Sequence, residues 1–253
     1  MLSRLAFLIG FTAATVTLTA GEPPKPLWTQ DFEDRTAGQA PNAWSGIWGK
    51  QGDDLLVVSN LRCAGGRNAF LLDRTGDNTE MWGVSTPFPD VKSGWAHFSF
   101  AFLVQGAGHD ARFGFELREA HPSSRRVVAL SFGASKVRAI PMSELGGYMD
   151  SESVRLGGFE KDAWHRLDLW LPASGSTDRR GAAQLLRRVG DDPWEPVDAA
   201  QPLPLFPPSG TNAYGLFMLV ANPGARGYKL FLDDLQVTPE PALPEPQVPA
   251  GKP

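Results

Sequence analysis

Apolar residues along this chain recur at alternate positions in short runs, and the runs are broken by Gly, Pro, Asp, Asn or Ser. In Trp95–Val104, Phe98, Phe100, Phe102 and Val104 fall on one side while His97, Ser99 and Ala101 fall on the other. That period of two belongs to a strand with one buried face. Ala111–Arg118 repeats it, with Phe113, Phe115 and Leu117 opposite Arg112, Glu116 and Arg118. Trp164–Leu171 sets Leu167, Leu169 and Leu171 against Arg166, Asp168 and Trp170. Further runs lie at Leu27–Phe32, Leu55–Ser59, Ala69–Asp73, Met81–Thr86, Arg126–Phe132, Lys136–Pro141 and Tyr228–Val237. Tyr214–Ala221 is apolar on both sides and reads as a central strand. Within Gly181–Val189 the Ala-Ala-Gln-Leu-Leu-Arg-Arg stretch has high helix propensity, but its place in the series makes Ala182–Val189 a strand. Strands at this spacing, with few helical periods between them, predict an all-β fold: a two-sheet antiparallel β-sandwich.

Composition narrows the picture. The 27 Gly and 22 Pro are too many for long helices, which removes helical bundles and doubly wound folds. A formal charge of −4 argues against a nucleic-acid partner, because counterion release needs a basic face. The single cysteine, Cys63, excludes an intramolecular disulfide, so a packed core has to supply the stability. Residues 1–20 read as a signal peptide: Arg4, an apolar stretch from Leu5 to Thr19, then small residues up to a cut after Ala20. Four Thr and a Gly dilute that stretch below what a spanning helix needs. The expectation is a secreted or periplasmic protein with no stable membrane span after cleavage. Residues 239–253 are proline-rich and read as a disordered tail, leaving a domain over residues 26–238.

Three segments carry a resemblance. Asp31-Phe32-Glu33-Asp34, followed by Gly38 and Pro41, resembles the first strand of concanavalin A-like lectin/glucanase domains. Asp162-Ala163-Trp164-His165-Arg166-Leu167-Asp168-Leu169 is similar to the tryptophan-led strand of their laminin-G-like members. Tyr228–Val237, with Asp233 and Asp234 between hydrophobic residues, resembles their last strand. The resemblance implies a jelly-roll in which the terminal strands pair and a concave sheet often holds saccharide. It also implies that a structural Ca²⁺ can sit where first and last strands meet, with Glu33, Asp31 and Asp233 as its acidic ligands. Alternation puts Asp233 on the side of Phe231, Leu235 and Val237, where a carboxylate needs a cation or a hydrogen-bond donor. The other reading has Asp233 accept backbone N–H groups at a bulge.

Saccharide recognition commonly sets a flat aromatic ring beneath the sugar and charged groups around its hydroxyls. Trp170 with Arg166 and Asp168 fits that chemistry, as do Arg112 and Glu116 on another strand; Trp44, Trp48 and Trp82 could form a rim. Signals for catalysis are mostly missing. Glu116 and Glu119 lie three apart, on opposite faces, unlike the alternate-position carboxylates of glucanases of this fold. The Glu116-Leu117-Arg118 segment is similar to an Arg-bearing motif of alginate lyases, without its companion Gln-x-His element. The expected role is an exported, non-catalytic, lectin-like module for a glycan or polysaccharide. A carbohydrate-active lyase or hydrolase of the same fold, and a protein-binding adhesion module, stay open.

Overall fold

The computed structural model describes residues 24–243 apart from 43, 45, 107–111, 121–122, 144, 179 and 206–213. The expected signal peptide with its expected cleavage site, and most of the proline-rich tail, therefore lie outside the described residues. One sheet has nine strands: β1 (Trp28–Gln30), β3 (Leu55–Ser59), β4 (Ala69–Arg74), β6 (Trp95–Gly106), β11 (Trp164–Pro172), β12 (Arg180–Arg188), β13 (Glu195–Pro196), β14 (Gln201–Pro204) and β16 (Tyr228–Glu240). The other has seven: β2 (Trp48–Gly49), β5 (Trp82–Pro87), β7 (Phe113–Glu119), β8 (Arg126–Gly133), β9 (Lys136–Pro141), β10 (Val154–Gly158) and β15 (Tyr214–Ala221).

All pairings are antiparallel, in the order β13-β12-β11-β6-β16-β4-β3 for the larger sheet and β10-β9-β8-β7-β15-β5-β2 for the smaller. The chain is a two-sheet antiparallel jelly-roll sandwich. Its core lies between the sheets and is built from the alternating residues of β6, β7, β11 and β15. Phenylalanines dominate the centre: Phe100 meets Phe115 edge-on at 4.5 Å, and Phe113 stacks on Phe132 at 4.5 Å. Such rings remove large apolar areas from water and lock the two sheets in one register.

Each strand expected from alternation is present, while β2, β10, β13 and β14 are additional. The helix-prone stretch is the strand β12, paired with β11 along one side and with β13 and β14 along the other. Ladders on both edges override intrinsic propensity. β15 lies between β7 and β5, so its two apolar faces are both used: Phe217, Leu219 and Ala221 enter the core, and Leu216, Met218 and Val220 form an outer cluster with Trp48.

The register shifts at irregularities in β7, β10, β15 and β16, and the one in β16 lies where the terminal strands meet. β16 pairs with β4 through Leu232 and with β1 from Leu235, and its register with β6 shifts between Asp233 and Gln236. Asp234 takes a left-handed φ of 50° there. The bulge flips the strand, so Phe231 packs outside with Leu71 and Leu103 while Leu235 and Val237 enter the core. Phe231 therefore does not share a face with Leu235 and Val237, as unbroken alternation had implied. The strand also continues through Pro239 and Glu240, opposite Ala96 and Trp95, past the expected boundary at residue 238.

Candidate functional site

The polar residues singled out in the sequence fall on two opposite faces of the sandwich. Trp170, Arg166 and Asp168 lie on the outer face of the nine-stranded sheet, and Glu116 lies on the outer face of the seven-stranded one. Trp170 is only 7% exposed, and its ring stacks on His97 at 4.6 Å with planes 12° apart. Asp168 accepts Arg166 Nη2 at 2.9 Å and lies 3.3 Å from His97 Nε2. Arg166 and Arg188 sit over Trp194, 5.5 and 4.7 Å from its ring centroid. The groups on this face are thus engaged with one another, and the Trp170 ring has little surface left for a sugar. Trp44 and Trp82, considered for a rim, are core residues at 6% and 1% exposure.

Glu33, Asp31 and Asp233 serve the join between terminal strands. Asp233 Oδ2 accepts the backbone N–H groups of Ala64 (2.7 Å) and Gly65 (3.1 Å), and Oδ1 accepts that of Asp234 (2.9 Å). Glu33 Oε1 accepts those of Arg67 and Asn68, both at 2.7 Å, while Asp31 Oδ1 accepts the N–H of Glu33 at 3.2 Å. Backbone hydrogen bonds from Arg67 and Asn68 hold the Glu33 carboxyl below its ordinary range. Burial pushes the Asp233 carboxyl up to about 7, against the N–H groups that favour its charge. Among the described residues no three His, Cys, Asp or Glu side chains converge as a metal site. The donor set fits backbone capping of a bulge and does not fit calcium, which wants about six to eight oxygens.

An open cleft lies on the outer face of the seven-stranded sheet. In-register neighbours there run Trp48, Gly83, Val220, Gly114, Ser131, Arg138 and Arg155, one from each strand. Directly opposed residues in antiparallel strands point to the same side, so this lane crosses the whole outer face. Trp48 lies over Gly83, where a methyl group would come within 2.5 Å of the indole Nε1, and that Nε1 contacts Met218 Sδ at 3.1 Å. Above Gly114 an added methyl would meet one atom, the backbone Leu130 O at a tight 3.1 Å. A cleft of about 260 Å³ opens over Gly114, Ala129, Ser131 and Val220, with Glu116, Arg138, Tyr148, Asp150 and Asn222 at its sides.

Glu116 is 4% exposed because cations and a phenol cover it. Its Oε2 accepts Arg118 Nε at 2.8 Å and also Nη2; its Oε1 accepts Arg126 Nε at 2.9 Å and the Tyr148 hydroxyl at 2.8 Å. Arg126 also lies over the Tyr148 ring, 5.3 Å from its centroid. Burial, then the Glu116 charge, pushes the Tyr148 hydroxyl up to about 12, so it keeps its proton and donates it to the carboxylate. Arg112 stands at the start of β7, its Cγ 3.7 Å from a methyl position on Gly133. Of the predicted ligand set, the structure brings Glu116 and Arg112 to this face and leaves the other three on the far one. Tyr148, Arg138, Ser131 and Asn222 were not anticipated. The alternation of Lys136–Pro141 held the signal for Arg138, whereas Tyr148 arrives through an isolated bridge to Met142.

No protein-family model matches the sequence, and no curated protein does either. Solved structures of like fold exist. An endo-β-1,4-glucuronan lyase from Trichoderma reesei aligns with a TM-score of 0.58 at 12% identity, over 85% of this chain and 96% of that one. A marine PL-14 alginate lyase from Aplysia kurodai aligns at 0.52 and 11% identity, over 85% and 100%. The catalytic domain of a glycoside hydrolase family 131 protein from Coprinopsis cinerea aligns at 0.51 and 13%, over 87% and 96%. At these identities the likeness is one of fold: this chain shares the jelly-roll sandwich of these proteins.

Proposed function

We propose that this chain is an exported, non-catalytic glycan-binding protein of the concanavalin A-like type, and that it lays saccharide across the outer face of its seven-stranded sheet. The observation that carries this reading is the lane from half-buried Trp48 over Gly83 and Gly114 to Arg138, opening into the 260 Å³ cleft. Sites for small ligands usually measure roughly 300–1,000 Å³, so this one suits a single ring of a longer chain that runs on along the lane. Glycines keep the floor flat, aromatic groups stand at its margins, and Ser131, Asn222 and Arg138 offer hydrogen bonds to hydroxyls. The three structures of like fold act on glucuronan, alginate or glycosidic bonds, which agrees with a glycan in this position. Among the described residues no helix is long and apolar enough to cross a membrane.

The state of Glu116 supports binding without catalysis. Both its oxygens are taken by Arg118, Arg126 and Tyr148, so it is a poor base and a poor nucleophile. Hydrolysis needs two carboxylates flanking one bond, and Asp150 is the other acid lining the cleft. The feature that favours catalysis instead is the Tyr148 hydroxyl, a proton donor beside Arg126 in the same cleft.

The test is a polysaccharide binding screen with Trp48→Ala, Gly114→Val and Trp170→Ala. Trp48→Ala and Gly114→Val should each weaken binding about tenfold or more, and Trp170→Ala should leave it unchanged. Wild-type affinity in Gly114→Val would sink the site assignment. Prolonged incubation with each bound polymer should yield no new reducing ends and no unsaturated sugar; either product would establish the catalytic reading.

A further inference from the structure

The cleft carries a charge pattern that the protein as a whole does not. Net charge is −4, yet the lanes over β7 to β10 are lined with cations. Arg138 is the cross-strand partner of Arg155, and Lys136 is the partner of Gly133, beside which the Arg112 side chain lies. All four are exposed, and none makes an ion pair among the described residues. Elsewhere on the surface cations are commonly matched, as in Arg180 with Asp178 and Lys229 with Asp73. Glu116 is already matched by Arg118 and Arg126, so among the described residues Asp150 is the one uncommitted acid lining the cleft. Like charges placed directly opposite across two strands destabilise a sheet. The Arg138–Arg155 pair is therefore a local cost that an anion between the two guanidiniums would turn into a gain, since guanidinium–carboxylate and guanidinium–sulfate bonds are among the stronger polar contacts.

We infer that the ligand of this face is a negatively charged polysaccharide, bearing carboxylate or sulfate groups on successive sugars, read by Arg138, Arg155, Lys136 and Arg112. This inference rests on the glycan reading above and adds the ligand's chemical class. The cations span β7 to β10, three inter-strand spacings of about 4.8 Å. They thus form a row some 14 Å long rather than a point, which suits a chain of regularly spaced anions. The cleft floor beside the row is flat and supplies surface for sugar rings.

The experiment uses the full chain and four polymers: a polyuronate, the same polyuronate after reduction of its carboxyl groups, dextran sulfate and single-stranded DNA. Polyuronate or dextran sulfate should bind, and affinity should fall about tenfold or more between about 50 and 300 mM NaCl as screening grows. Whichever of the two binds more tightly identifies the anionic group. The double variant Arg138→Gln/Arg155→Gln should bind about tenfold more weakly with a melting temperature equal to or above that of wild type, since the opposed charges are gone, while Arg180→Gln on the other sheet should bind like wild type. Equal binding of the carboxyl-reduced polymer, full affinity in the double variant, or tighter binding of DNA would overturn the inference. Binding that persists only for neutral polymers would leave the glycan reading standing and remove the charge class. Failure to bind any polysaccharide, charged or neutral, would remove both.

Discussion

Replacing Asp233 with Ala tests what joins the terminal strands. The residue is fully buried at the point where β16 leaves β4 and takes up β1, and its carboxylate accepts three backbone N–H groups. Truncation strips all three of their acceptor. A buried donor left unsatisfied costs about 1–3 kcal/mol; Ala64 is buried, whereas Gly65 and Asp234 are half-buried and can recruit water. Relief of the buried charge, whose cost shows in a carboxyl pushed up to about 7, offsets part of that loss. The net expectation is a loss of about 2–3 kcal/mol, or roughly 5–10 °C in melting temperature for a domain of this size. Asp233→Asn keeps an oxygen for Ala64 and Gly65 but turns an NH₂ toward the Asp234 N–H, so it should fall between Ala and wild type. Urea unfolding followed by tryptophan fluorescence, in calcium and again in chelator, gives the comparison. Wild type should unfold at the same midpoint in both. A wild-type midpoint that drops in chelator as far as the Ala variant would show that a cation, and not the backbone N–H groups, is the partner of this carboxylate.

Three other outcomes follow from particular contacts. His165 accepts the Glu160 N–H on Nε2 and donates from Nδ1 to Ala163 O, so a second ring proton would meet a donor, and burial holds its pKa down to about 4. The unfolded chain takes up this proton near pH 6.5 and the folded one near 4, so His165 withdraws about 3 kcal/mol as pH falls across that window. Asp233 acts in the opposite sense over about the same range, so the readout is the stability of His165→Gln minus that of wild type, which should rise between pH 7 and 4. A flat difference would mean the imidazole is protonated in the fold. Arg74 is fully buried, 3.0 Å from Asp54, and donates to the carbonyls of Asn222, Asn78 and Glu80. Arg74→Met should cost about 3–5 kcal/mol and, by releasing Asn222, weaken ligand binding as well; a stable variant with full affinity would refute that coupling. In Tyr148→Phe the Glu116 carboxylate loses one of its donors, so affinity should drop by about threefold to tenfold without loss of fold, measured in the same binding screen.

How far the sequence reaches can be read from β6, β12 and β16. The period of two in β6 is long and clean, and its inward Phe98, Phe100 and Phe102 are core residues as expected. The short strands β2, β13 and β14 hold two to four residues each, too few for a period to show, and β14 is half proline. The flip at Asp233 and Asp234 is invisible to alternation, because it depends on which strand lies beside β16 on either side of the bulge. The same limit governs the site. Parity put Trp170 correctly on an outward face, but only the register with β6 reveals that His97 is its neighbour and covers it. Glu116 was legible as an outward acid, while its link to Tyr148 joins residues 32 positions apart and needs the bridge after β9.

The two outer faces of the sandwich show how similar sequence patterns lead to different surfaces. Each face presents an acid, arginines and an aromatic ring at alternate strand positions. On the nine-stranded sheet these groups close on one another: His97 covers Trp170, Arg166 pairs with Asp168, and Glu240 approaches the far side of the imidazole at 3.6 Å. On the seven-stranded sheet, glycine at positions 83 and 114 leaves out side chains in the middle, and among the described residues the opposed Arg138 and Arg155 have no carboxylate partner. A face whose charged groups pair with one another offers little to a ligand. A face that keeps an open lane and two directly opposed guanidiniums is unfavourable alone and becomes favourable when an anionic chain lies along it. That difference is why we propose the smaller sheet as the ligand's place.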